Sequence, residues 1–200
     1  MPSIDEQTDH LCFKIVFCGP GCSGKSTALR HIYASLRPGQ RGDLVSLPTD
    51  TGRTLFFDFL PIHFAGSGQA LGKVRFHLYT APGQVFFEKA LKLVLRDADG
   101  VVFVADSQAE RQEANREALR GVKEGLAAWD IEWSRLPAVF LYNKRDTHDR
   151  VAPARLKESL NPEGRPEFEA VATEGHGVLE MLETLCDWVL ETHLARSGTE

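Results

Sequence analysis

An octet near the N-terminus, Gly19-Pro20-Gly21-Cys22-Ser23-Gly24-Lys25-Ser26, carries the residue types needed to hold a polyphosphate. It fits the phosphate-binding loop pattern G-x-x-x-x-G-K-[ST]. The glycines let the backbone bend so that consecutive N–H groups face the ligand. The helix expected to follow, beginning near Thr27, adds the positive end of its dipole. Lys25 would reach the β- and γ-phosphates, and the Ser26 hydroxyl would bind Mg²⁺. On its own the octet implies a nucleoside triphosphate and leaves the base and the reaction open. A glycine-rich turn is the plain alternative.

Three further segments offer nucleotide-binding groups, each directly after an expected strand. In Thr80-Ala81-Pro82-Gly83-Gln84, the Gly83 N–H suits a γ-phosphate and Gln84 could orient an attacking water. In Asn143-Lys144-Arg145-Asp146, the Asp146 carboxylate can accept from both N1–H and the amino group of guanine, a donor pair that adenine lacks. Asn143 would support N7 and the loop itself, and the Lys144 stem would lie along the base plane. In Val171-Ala172-Thr173, the Ala172 N–H could reach the guanine O6. Each segment alone reads equally as a turn or a charged loop. Together, in this order, they favour guanine.

The elements that must position these groups alternate. Strands are expected over 13–18, 54–62, 73–79, 100–105, 137–142 and 168–172, with helices from about 27, over 85–96, 109–129, 153–160 and 178–194. The runs Gly100-Val101-Val102-Phe103-Val104-Ala105 and Pro137-Ala138-Val139-Phe140-Leu141-Tyr142 are apolar throughout, as in strands buried on both faces. The short link between the second and third strands favours an antiparallel pair. The expectation is therefore an α/β fold: a mainly parallel six-stranded sheet with one antiparallel edge strand, helices on both faces, and ligands at the carboxyl ends of the strands.

The 200 residues suit one domain, 1–200, with a core of about 11–194. A formal net charge of −5 and the absence of a basic tract argue against a general nucleic-acid binder. No run is long and apolar enough to span a membrane, and the termini show neither a signal peptide nor a lipidation motif, so no membrane anchor is encoded in these patterns. Cys12, Cys18, Cys22 and Cys186 lack metal-type spacing and read as reduced thiols of a cytoplasmic protein. Cys22, inside the phosphate loop, is read as a tolerated small side chain, with a redox role as the alternative.

These motifs resemble those of Ras-like small GTPases over nearly the whole chain, and more closely those of the bacterial gliding-motility GTPase family, MglA. The string Thr49-Asp50-Thr51-Gly52-Arg53-Thr54-Leu55-Phe56-Phe57-Asp58-Phe59-Leu60-Pro61 resembles that family's first switch, and Phe76-His77-Leu78-Tyr79-Thr80-Ala81-Pro82-Gly83-Gln84 its second. The resemblance implies a Ras-like P-loop fold and a GTPase switch with Mg²⁺ and GTP or GDP as ligands. Thr54 would join Ser26 as a Mg²⁺ ligand and sense the γ-phosphate. Gln84 would position the water, Lys25 neutralise charge, and Arg53 act as an arginine supplied in cis. Nucleotide contacts are expected from Gly19, Gly21, Cys22, Ser23, Gly24, Lys25, Ser26 and Thr27. Further contacts are expected from Thr54, Gly83, Asn143, Lys144, Asp146 and Ala172. It also implies control of cell polarity or motility through GTP-state effectors, a Roadblock-type regulator like MglB, and recruitment to cell poles. A nucleotide-binding scaffold with little hydrolysis remains the alternative.

Two positions depart from the general Ras pattern. Thr80 stands where most relatives place an aspartate that holds a Mg²⁺-bound water, a departure the MglA family shares. Thr173 replaces the usual lysine beside the guanine. In the strand around Phe57, apolar residues fall on both faces, so a two-residue slip would keep its faces. The MglA resemblance suggests such sliding between nucleotide states; one fixed register is the alternative.

Overall fold

The computed structural model describes residues 3–5, 10–48, 54–63, 73–83 and 88–197. The strands are β1 (Ser3–Asp5), β2 (His10–Cys18), β3 (Val45–Pro48), β4 (Thr54–His63), β5 (Lys73–Thr80), β6 (Gly100–Asp106), β7 (Ala138–Asn143) and β8 (Glu167–Glu169). The helices are α1 (Lys25–Ser35), α2 (Glu88–Leu95), α3 (Gln112–Ala127), α4 (Pro153–Leu160) and α5 (Val178–Ser197).

The strands form one sheet in the order β3-β4-β5-β2-β6-β7-β8, with β1 paired to the start of β2. Strands β5, β2, β6, β7 and β8 run parallel, while β4 is antiparallel to β5 and β3 to β4. The mainly parallel α/β sheet with an antiparallel edge agrees with expectation. It has two strands beyond the six expected, and β3 rather than β4 forms the edge. Both additions are too short to show a period-two pattern.

Alternation along the central strands splits the core into two layers. Phe13, Ile15 and Phe17 of β2, with Val102, Val104, Val139 and Leu141, face α1 and α5. Val16 and Cys18, with Val101, Phe103, Phe140 and Tyr142, face α2, α3 and α4. Every residue of β6 and β7 is buried, which is why neither strand shows polar alternation. The last strand ends at Glu169, earlier than expected, and beyond it the chain turns back through Gly175 and Gly177, both at positive φ.

Strand β2 lies between β5 and β6. The chain leaves β2 through α1 on one face and returns from β5 to β6 through α2 on the other. The carboxyl end of β2 is thus where the connections diverge, the crevice in which open α/β sheets hold ligands.

Candidate functional site

The loop between β2 and α1 fills that crevice. Gly19, Cys22 and Gly24 take positive φ, and Gly24 caps α1 without any side-chain hydrogen bond. The first N–H groups of α1 therefore lack the side-chain acceptor that a Ser or Asp cap would provide. Gly24 allows close approach: a Cβ there would collide with the Asn143 amide. Lys25 is buried, and its ammonium donates to the carbonyl oxygens of Gly19 at 3.0 Å and Pro20 at 2.8 Å. Burial pushes its pKa down to about 8; Cys18, Cys22 and Asp58 oppose that shift, and Arg111 adds to it. An arriving phosphate would replace weak carbonyl partners with a full counter-charge. Ser26 and Thr27, half-buried, follow in the first turn.

Asn143 ends β7 and joins two loops. Its Nδ2 donates to Ser23 O at 2.7 Å, and its Oδ1 accepts from Ala172 N at 2.9 Å. The phosphate loop and the 170–173 turn are thus held by one buried side chain. The Ala172 N–H is already spent on Asn143, so a guanine O6 contact from it would have to share that proton. Lys144, at φ 65°, sends its ammonium to Asp106 Oδ2 at 2.7 Å and Gln108 Oε1 at 3.1 Å, leaving its stem beside the loop. Asp146 and Thr173 are exposed at the same end of the sheet. Arg145 fastens this loop through Glu169 Oε2 and Val151 O, both at 2.7 Å.

Sequence reasoning missed the group that braces this end. Asp106 is fully buried; its Oδ1 accepts from Gln108 N at 3.1 Å, and Asn115 Oδ1 accepts from its N–H at 2.9 Å. Arg111 lies 3.6 Å from Asp106 Oδ2 and donates from Nη2 to Gly21 O at 2.8 Å. A carboxylate ending a fully apolar strand was the available signal.

On the other side, Gly83 packs directly on the phosphate loop: a Cβ there would lie 2.6 Å from both Gly21 N and Lys25 Nζ. Only glycine lets this backbone come so near the phosphate-facing groups. Thr80 ends β5 and Asp58 lies across from it on β4, both buried. Thr54 opens β4, whereas Arg53 and Gln84 lie outside the described residues. A cleft of about 600 Å³ runs from Gly21, Cys22 and Gly83 between α2 and α3, past Leu91 and Arg111.

This donor set fits a polyphosphate with a divalent cation. It combines a helix N-terminus without a side-chain cap, a buried lysine whose hydrogen bonds among the described residues go to carbonyls, and a buried carboxylate beside them. No helix among the described residues is long and apolar enough to cross a membrane.

No protein-family model matches the chain. It is similar to the Mutual gliding-motility protein MglA of Myxococcus xanthus (strain DK1622), 45% identical over 199 residues, which cover 99% of this chain and 100% of that protein. Identity at that level from end to end, on a Ras-like arrangement of loop, sheet and helices, makes this chain a member of the MglA family of Ras-like small GTPases.

Proposed function

We propose that this chain, as one G domain spanning 1–200, binds GTP and GDP with Mg²⁺ and hydrolyses GTP to time a molecular switch. The observation that carries the reading is Asn143, whose amide ties the phosphate loop to the turn carrying Ala172. It brings phosphate-binding and base-binding segments to one crevice, with Asp146 at its rim.

In this reading the loop amides and Lys25 hold the phosphates, and Asp146 selects guanine. Ser26 and Thr54 would hold Mg²⁺, which supplies charge neutralisation between the β- and γ-phosphates. Gly83 donates its N–H to the γ-phosphate. Gln84 aligns the attacking water, and Arg53 stabilises charge as the bond to the leaving group lengthens. Loss of the γ-phosphate releases Thr54 and Gly83, so effectors distinguish the two states. The name of the M. xanthus relative supports a role in gliding motility; control of polarity, an MglB-like Roadblock regulator, GTP-state effectors and recruitment to the poles are further parts of the proposal.

Single-turnover GTP hydrolysis tests the reaction. Gln84→Ala and Arg53→Ala should each slow it about a hundredfold or more. Unchanged rates, with tight binding and no acceleration by a regulator, would leave a nucleotide-binding scaffold. ATP should not displace bound GDP. The first switch strand, β4, is further proposed to change register between nucleotide states; matching registers in GDP and GTP-analogue crystal structures would refute this.

A further inference from the structure

The turn that follows β8 reaches the base end of the crevice as a closed unit. Val171 O accepts from Glu174 N and Gly175 N, both at 2.9 Å, and Val171 N donates to His176 O at 3.3 Å. Its inner end is tied to β7 by the hydrogen bond from Ala172 N to Asn143 Oδ1 at 2.9 Å. A single hydrogen bond keeps its strength over a broad range of angles, so it fixes the place of such a unit better than its tilt.

The far bend has a second seat. Gly175 takes φ 81°, and a Cβ there would collide with Cε1 and Nε2 of His31. The imidazole therefore occupies the space that any side chain at position 175 would fill. Asn and Asp tolerate a left-handed backbone better than most residues, yet either would evict the ring. His31 stands on α1, the helix whose first turn carries Lys25 and Ser26. Its Nε2 shares a hydrogen bond with Ser35 Oγ at 3.1 Å, one turn further on, which steadies the ring.

Core packing does not explain this contact. Ala28 and Ile32 lie on the buried side of α1 and share one apolar cluster with Ala170, Ala172 and Val178. His31 lies beside them, half-buried, and its ring meets a glycine. The Ala172 N–H, already given to Asn143, can reach a base edge as well only by sharing its proton. Sharing of that kind narrows the angles that serve both acceptors, so the tilt of the turn matters.

We propose that His31 is a positioning residue for the guanine: its ring, seated on Gly175, fixes the tilt of the 171–176 turn and ties that turn to the helix that holds the phosphates. The inference rests on the guanine-nucleotide reading above.

The test compares GDP with inorganic pyrophosphate, which has the phosphates and no base, each in competition with a fluorescent GDP analogue in excess Mg²⁺. His31→Ala should weaken GDP about tenfold and pyrophosphate less than about twofold. A loosened phosphate site would weaken both alike. His31→Phe, which keeps a planar ring, should hold GDP within about threefold of the wild type. His31→Gln can still bond Ser35 but has no ring, so it should lose about tenfold like alanine. It decides the matter if His31→Ala fails to fold. Equal losses for GDP and pyrophosphate would overturn the proposal, as would a His31→Phe loss as large as that of alanine. So would GDP affinity within about twofold of the wild type in His31→Ala or His31→Gln. A wild-type protein that fails to bind GDP, or binds ADP as well as GDP, would refute the guanine reading itself and this inference with it.

Discussion

The two ends of the crevice are held in different ways. At the β6–β7 end, polar side chains bridge segments far apart in sequence: Asn143 reaches Ser23 across 120 residues, and Arg111 reaches Gly21 across 90. Asp106, Lys144, Gln108 and Asn115 close the set with buried or half-buried hydrogen bonds. At the β4–β5 end, the described polar contacts between the strands at the crevice reduce to the Asp58–Thr80 pair, with one carboxylate oxygen to spare. The outer face of β4 is held by rings: Phe59 lies tilted 4.9 Å from Tyr79 and edge-on 5.3 Å from His77, with Phe57 5.8 Å from Tyr79. Ring contacts are weakly directional, and a two-residue shift would bring Phe57 to the place of Phe59. It would also bring Phe56 opposite Thr80 and take the carboxylate away. The first end is built to stay put and the second to be rearranged at modest cost.

Asn143→Ala should produce the largest effect and is the most direct way to break this contrast. It leaves Ser23 O and Ala172 N buried without partners, a loss of about 2–4 kcal/mol. Urea denaturation of the nucleotide-free protein measures it, and GDP affinity should fall about a hundredfold through the loosened loop. Asp58→Asn, by contrast, should cost under about 1 kcal/mol, because its one unpaired oxygen has no protein partner to lose. Equal losses for the two variants would erase the distinction between a fixed and a movable end.

Arg111→Met comes next. Arg111 is one-third exposed, so its attraction to Asp106 is screened, and Lys144 keeps that carboxylate paired. The contact with Gly21 O is what is lost. GDP release should speed about fivefold, with stability changed by about 1 kcal/mol. Stopped-flow displacement measures the rate; an unchanged rate would remove Arg111 from the fixed end.

Much of this frame was legible because it rests on local rules. The continuous apolar runs of β6 and β7 could only be doubly buried strands, and the loop at Gly24 matched a pattern with a backbone reason. The braces were not legible, because pairing Arg111 with Gly21 requires knowing which loops meet. Asp58 left a weak trace: an acid in the same phase as Leu60 and Ile62, on a strand otherwise apolar on both faces. The short β1 and β3 exist only through pairing with longer neighbours.

The charge of Lys25 gives a smaller, pH-dependent effect on the fixed end. Burial lowers its pKa to about 8, and a bound phosphate would keep it protonated. Between pH 7.5 and 8.5 the charged fraction of the free protein falls from about three-quarters to about one-quarter, so GDP affinity should drop about threefold. Isothermal titration calorimetry in this window checks it, with proton uptake on binding as the signature. The sign for folding is opposite: between about 8 and the ordinary lysine value the unfolded chain holds the extra proton, so this group makes stability rise with pH. Since Arg111 also lowers this pKa, Arg111→Met should move the affinity midpoint upward.

Cys22→Gly carries the smallest expected effect and asks whether the fixed end is strained. Cys22 is exposed at φ 64°, a conformation that a side chain with a Cβ adopts at a cost of about 1 kcal/mol. Glycine would remove that cost but add unfolded-state entropy of comparable size, leaving a net change within about 0.5 kcal/mol. The loop N–H groups should then bind phosphate from the same geometry, and GDP affinity should change less than about twofold, within that same margin. Denaturation and GDP titration on the one variant test both halves. A large gain in affinity would mean that the thiol holds the loop away from its binding shape, and the fixed end would itself have to move when nucleotide arrives.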